Sequence, residues 1–217
     1  MRLLIFDHDM TIVDSSQAIL DAVNLVAEET GMPKITRAQV LEYAAVTLHD
    51  FMTGIWGECR QEWVDLYREK AAPIEYERIR PFPEVPRVLT KLREMGVVLA
   101  VASNRYDPRA AMDKSQTSKY FDAIVGPIDG LAHKPAPAML NYLMGRFGTA
   151  RAETLYAGDA DVDVETARAA GVRSVGVARG NFTRAQLEAL GAWRVVDALD
   201  ELPLIVEEES AAKAGER

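Results

Sequence analysis

The chain has 217 residues, 48% hydrophobic and 27% charged, an ordinary balance for a soluble globular protein with room for one full domain and a modest second one. Its 25 basic and 33 acidic residues give a net charge of −8, and no basic run offers a footprint for nucleic acid or an anionic membrane. The single cysteine, Cys59, excludes an intramolecular disulfide, and neither a signal peptide nor a membrane-length apolar run is visible, so a cytoplasmic, soluble protein is expected.

The first element is the apolar run LLIF at 3–6, which reads as a buried strand and leads straight into Asp7 and Asp9. Two carboxylates at i, i+2 leaving a strand point to one side and are costly to desolvate. They are either a solvated strand end or a site in which positive charge belongs between them. From about Ser16 to Arg80 no clear strand follows, only helical patterns. Ile19, Val23 and Val26 form a stripe ending at Gly31, Thr36-x-x-Gln39 is a capping box, and Trp63, Leu66 and Tyr67 mark a helix before Pro73. The segment RPFPEVP at 80–86 reads as a strand-free hinge, because its prolines cannot continue a helix.

Beyond the hinge, short apolar runs at 97–102, 123–125, 154–157 and 174–178 alternate with amphipathic helices. Glycines 96, 148 and 171 close three of these helices, Asp107-Pro108 opens another, and Thr183-x-x-Gln186 opens a fifth. Strand and helix in alternation predict an α/β fold, a Rossmann-like doubly wound parallel sheet. Residues 1–15 and 81–206 are expected to form this core, residues 16–80 an inserted α-helical cap, and residues 207–217, EEESAAKAGER, a frayed solvated tail.

In such sheets ligands gather at the carboxyl ends of the strands. Four predicted strands end there in polar signatures: Asp7, Asp9 and Thr11 after the first, Ser103 and Asn104 after VLAVA, Lys134 within AHKPAP, and Gly158, Asp159 and Asp163 within GDADVD. In this order the four signatures resemble the haloacid dehalogenase superfamily of phosphotransferases. ARAAGVRSVGV at 167–177 and the helical insert are similar to the phosphoglycolate-phosphatase-like branch.

The resemblance implies a Mg²⁺-dependent hydrolase of a small phosphomonoester, phosphoglycolate-like or sugar-phosphate-like. Asp7 is then the nucleophile, forming an aspartyl-phosphate, and Asp9 the general acid and base, its carboxylate neighbours raising its pKa. Metal ligands are expected from Asp7, Asp9 and Asp159, with Asp163 either a further ligand or the partner that orients Lys134. Thr11, Ser103, Asn104 and Lys134 are expected to bind the substrate. A β-phosphoglucomutase-like phosphotransferase and a non-catalytic phospholigand-binding protein are the alternatives. Met10 stands where the family usually has glycine, His8 is expected to point away from the aspartates, and Asp161 to cap the following helix. Lys34, Arg37, His49 and Arg60 are the candidate substrate contacts of the insert.

Overall fold

The computed structural model describes residues 1–43 and 45–215, with the backbone alone for 212–215. Its strands, in chain order, are β1 (Leu3–Phe6), β2 (Val13–Asp14), β3 (Arg80–Pro81), β4 (Val98–Ala102), β5 (Ala123–Val125), β6 (Thr154–Gly158), β7 (Arg173–Val177) and β8 (Arg194–Val196). Six of them form one parallel sheet in the order β5-β4-β1-β6-β7-β8, while β2 and β3 pair as a separate antiparallel ribbon. The chain builds outward from β1 to β4 and β5, then returns to the far side of β1 for β6, β7 and β8. That reversal opens a crevice at the carboxyl ends of β1, β4 and β6, where the polar signatures lie.

The helices are α1 (Ser16–Thr30), α2 (Arg37–Tyr43), α3 (Leu48–Trp56), α4 (Gln61–Leu66), α5 (Ala72–Arg78), α6 (Val85–Glu94), α7 (Pro108–Lys114), α8 (Ala138–Phe147), α9 (Asp161–Ala170), α10 (Arg184–Ala189) and α11 (Leu202–Gly215). Strand periodicity assigns them to layers. Leu4 and Phe6 pack with Val88 and Leu92 of α6 and Ile205 of α11 on one face of the sheet. Leu3 and Ile5 pack with Leu140 and Leu143 of α8 and Ala167 of α9 on the other. Both faces are thus covered, which is why the strands read as continuous apolar runs rather than alternating ones.

Helices α1 to α5 surround a second hydrophobic cluster containing Val23, Val26, Val40, Phe51, Met52 and Trp63. Trp56 meets Trp63 edge-on with ring centroids 5.5 Å apart, so both indoles serve this cluster. Between α4 and α5 the chain makes a π turn, Tyr67–Ala71, with the Ala72 N–H donating to the Tyr67 carbonyl. The insert joins the sheet through the β2–β3 ribbon, where Val13 faces Pro81 and Asp14 faces Arg80.

Three details correct the sequence reading. The hinge at 80–86 is not strand-free, since Arg80–Pro81 forms β3, with proline tolerated because a two-residue ribbon asks little of its N–H groups. Strand β8 was not anticipated, being three residues long with an exposed arginine. The expected tail continues α11 as far as Gly215. Leu202, Ile205 and Val206 anchor that helix in the core, and Arg173–Glu209 and Arg194–Glu208 ion pairs hold its next turn. No helix among the described residues is long and apolar enough to cross a membrane.

Candidate active site

Strand β1 delivers Asp7, only 3% exposed, to the floor of the crevice. Lys134, from the loop before α8, donates to Asp7 Oδ1 and to Asp163 Oδ1, both at 2.7 Å, and to the Tyr156 hydroxyl at 3.1 Å. The Tyr156 hydroxyl itself donates to Asp163 Oδ1 at 2.8 Å. Asp163 Oδ2 accepts the Ala160 N–H at 3.1 Å, which caps α9 from its third position. This folded-back pose depends on Gly158, where an added Cβ would overlap the Asp163 carboxyl group. Asp161 is therefore the first residue of α9 and not its cap.

Asp159, at the end of β6, completes the group: ligand oxygens of Asp7, Asp159 and Asp163 lie within 4.8 Å of one another, all buried. Burial, opposed by Lys134 but reinforced by Asp163 and Asp9, pushes the Asp7 carboxyl up to about 7. Burial together with Asp163 and Asp7 raises Asp159 well above the usual carboxylate range. Burial on its own would discharge Lys134, but Asp163 and Asp7 override it and hold the ammonium charged. Three crowded carboxylates against one ammonium leave an excess of negative charge, and an all-oxygen donor set of this kind suits a hard divalent cation. Gly180 keeps one edge of Asp159 clear, since a Cβ there would overlap its Oδ2.

Asp9 faces elsewhere. Arg105 donates from Nη2 to Asp9 Oδ1 at 2.6 Å and from Nε to Asp9 Oδ2 at 3.1 Å. The same guanidinium reaches Glu75 Oε1 of α5 at 2.6 Å, and the Tyr67 hydroxyl donates a short hydrogen bond to Glu75 Oε2. Glu75 is completely buried. Burial favours protonation of Asp9, but Arg105 and His8 outweigh it and hold the carboxyl well below the usual range. The expectation that neighbouring carboxylates raise this pKa is thus overturned: Arg105 is the nearer charge. The Asp9 carboxylate also takes no part in the three-carboxylate group.

Other expected residues land in or beside the crevice with protein partners of their own. Thr11 is fully buried and its hydroxyl donates to Asp159 Oδ1 at 2.9 Å, steadying that carboxylate. Asn104 accepts the Lys134 N–H at 2.7 Å and donates to the carbonyls of Lys134 and Ala45, tying the lysine loop to the insert. Ser103 Oγ accepts the Arg105 N–H at 3.1 Å. Asp163 spends both oxygens on Lys134, Tyr156 and Ala160, which favours its role in orienting the lysine. His8 is fully buried with Nδ1 3.5 Å from Asp9 Oδ2, not turned away. Met10 adopts φ +56°, the left-handed conformation a glycine would take freely, at a cost of about 1–2 kcal/mol.

Arg105, Glu75 and Tyr156 were not singled out from the sequence, and Tyr67 was read only as part of a helix. Tyr156 carried a signal, because a hydroxyl in the middle of a buried strand needs a partner. Arg105 carried another, as a cation immediately after the Ser-Asn of the second signature.

The profile of the haloacid dehalogenase-like hydrolases matches residues 4–177. The chain belongs to this family. A phosphoglycolate phosphatase of Aquifex aeolicus is 28% identical over 177 residues, 80% of this chain and 83% of that protein. A Caldanaerobacter subterraneus protein with the provisional name pyrophosphatase PpaX is 33% identical over 180 residues, 80% of each chain. Among solved structures, one described as a haloacid dehalogenase-like hydrolase of Bacteroides fragilis superposes with TM-score 0.83 at 28% identity, covering 92% of this chain and 98% of the other. The haloacid dehalogenase fold and the relatives place the chain on the phosphoglycolate-phosphatase-like branch, as an enzyme of the phosphatase type.

Proposed function

We propose that this protein is a Mg²⁺-dependent hydrolase of a small phosphomonoester, working through an aspartyl-phosphate on Asp7. The observation that carries the proposal is the convergence of Asp7, Asp159, Asp163 and Lys134 in one buried crevice at the switch point of the sheet. Asp7 and Asp159 would hold the metal, joined by the Asp9 backbone carbonyl as the family resemblance implies. When bound, Mg²⁺ supplies charge that offsets the repulsion between carboxylates and a phosphate dianion.

The chain's own groups account for the remaining chemistry. An Asp7 oxygen forms a bond to phosphorus while the ester P–O bond breaks, and the departing alkoxide takes a proton from Asp9. Asp9 then removes a proton from water, whose oxygen attacks phosphorus and returns Asp7 with release of inorganic phosphate. Lys134, fixed by Asp163 and Tyr156, neutralises charge on the phosphoryl oxygens. Asp9 cannot donate a proton while Arg105 grips it. Arg105 is fastened to Glu75 of α5, so a shift of residues 16–80 relative to the sheet carries the guanidinium with it. We read that insert as a cap that pivots on the β2–β3 ribbon and excludes water when closed.

Asp7→Asn tests this reading. The amide cannot accept the phosphoryl group, so release of phosphate from an activated aryl phosphate should fall on the order of 10³-fold or more in a folded protein. Turnover within tenfold of the parent would remove Asp7 from its role.

A further inference from the structure

Between the insert and the sheet, directly above Asp9, lies a cavity of about 560 Å³. Its walls include Ile19 and Val23 of α1, Phe51 of α3, Val64 of α4, Tyr67 of the π turn and Tyr76 of α5. At its floor sit Asp9, Asn104 and Arg105. Asp9, the proposed acid on the leaving group, lines this space, so the alcohol departing from a phosphoryl group on Asp7 would lie here and the walls would set what it can be.

The buried charges there are already committed. Arg105 is paired with Glu75 as well as with Asp9, so even on releasing Asp9 it offers no net charge to a ligand. Asn104 is saturated by backbone partners. Arg68 stands at the exposed mouth, stacked on the Tyr106 ring at 4.1 Å. Of the four polar contacts expected from the sequence, only His49 lines the cavity, and it too is exposed. Lys34 pairs with Glu28, Arg37 with Ser16, and Arg60 with Glu58, all away from it. A carboxylate such as that of glycolate would find no free buried cation among the described residues, and a polyhydroxy sugar would leave hydroxyls against hydrocarbon. The volume also far exceeds a two-carbon acid and matches that of pockets built for larger ligands.

We infer that the leaving group of the substrate is an apolar or aromatic alcohol, held by this insert-lined cavity. The inference rests on the phosphatase reading and narrows its substrate class. It predicts a dependence on apolar surface that glycolate cannot supply, since each buried methylene contributes roughly fourfold in kcat/KM.

The test is a series of primary phosphate esters with leaving groups of similar basicity, assayed on the full chain with Mg²⁺: ethyl, butyl, hexyl and 2-phenylethyl phosphate, beside phosphoglycolate and glucose 6-phosphate. The expected result is a kcat/KM rising on the order of 10²-fold from ethyl to hexyl, with 2-phenylethyl phosphate at least tenfold above phosphoglycolate. Leu48, half-buried in the cavity wall, provides the converse. Leu48→Arg places a cation there and should shift the ratio of the two esters at least tenfold toward phosphoglycolate. A flat alkyl series, or phosphoglycolate or glucose 6-phosphate ahead of 2-phenylethyl phosphate, overturns the inference and leaves the phosphatase reading intact. Failure to hydrolyse even an activated aryl phosphate defeats both.

Discussion

Arg105 and Asp9 form a two-pronged ion pair at 2.6 and 3.1 Å, and the guanidinium is held from its far side by Glu75 of the insert. Arg105 and Glu75 are both nearly inaccessible, with side chains 8% and 0% exposed. A single cation therefore satisfies two carboxylates, one fully buried and one at the floor of the cavity. Such a triad adds little net stability over apolar packing, yet removing its centre strands two buried charges. Arg105→Ala should destabilise the protein by about 3 kcal/mol, which for a chain of this size lowers the thermal midpoint by roughly 6–12 °C. Glu75→Gln, which keeps its place beside Tyr67 and leaves Arg105 paired with Asp9, should cost less than half as much. Equal losses in differential scanning calorimetry would show that the arginine does not bridge the two.

The proposed duty of Asp9 is readable in the leaving group. An alkoxide leaves poorly unless protonated, whereas a nitrophenolate needs little help. Asp9→Asn should therefore reduce turnover of alkyl phosphates at least tenfold more than that of p-nitrophenyl phosphate. Parallel losses on both ester types would assign Asp9 to positioning alone.

Metal binding should reveal itself in stability as well as in rate. Burial raises the Asp7 carboxyl from its ordinary 3.8 to about 7 in the metal-free protein. Across that interval the folded state binds more protons than the unfolded chain, so the Asp7 contribution makes metal-free stability fall as pH rises. A divalent cation displaces those protons. Added Mg²⁺ should therefore raise the thermal midpoint more at pH 8 than at pH 5.5, and Asp159→Asn should abolish the shift at both. A midpoint indifferent to Mg²⁺ at pH 8 would dismiss the carboxylate group as a metal site, whatever the activity data show.

The sheet was legible because every central strand is buried on both faces and so appears as an unbroken apolar run, with β1 at 3–6 the clearest case. The signatures at the strand ends were legible because each occupies a few contiguous residues. What escaped reading was pairing across distance. Glu75 looks like one more charge in APIEYER, and only the folded chain shows that this carboxylate is buried opposite Arg105, thirty residues on. The pKa of Asp9 escaped for the same reason: the sequence shows an acid two residues before it, but its nearest charge in space is a cation. Of the polar contacts expected from the insert, His49 lines the cavity and the other three do not. Lys34 lies in the loop between α1 and α2 and Arg60 at the start of α4, and both turn outward to Glu28 and Glu58.

The last prediction concerns Gly158. Its backbone φ is one any residue can adopt, so the dihedral does not require glycine; space does. An added Cβ would overlap the carboxyl group of Asp163, which is fixed by Lys134, Tyr156 and the Ala160 N–H. Gly158→Ala must push this carboxylate off its donors, at a cost of about 1–3 kcal/mol, and displace the lysine that faces Asp7. Stability and turnover should fall together, with kcat affected more than KM because Lys134 acts on charge that grows in the transition state. Gly145 supplies the control. It lies in α8 with open space where a Cβ would go, so Gly145→Ala should stabilise by about 0.5–1 kcal/mol through helix propensity alone. The deciding measurement is a mutant cycle: with Asp163→Gly already in place both the carboxyl group and the Cβ that overlap are gone, and Gly158→Ala should then cost almost nothing. An undiminished cost in that background would mean that the glycine serves the strand and not the carboxylate.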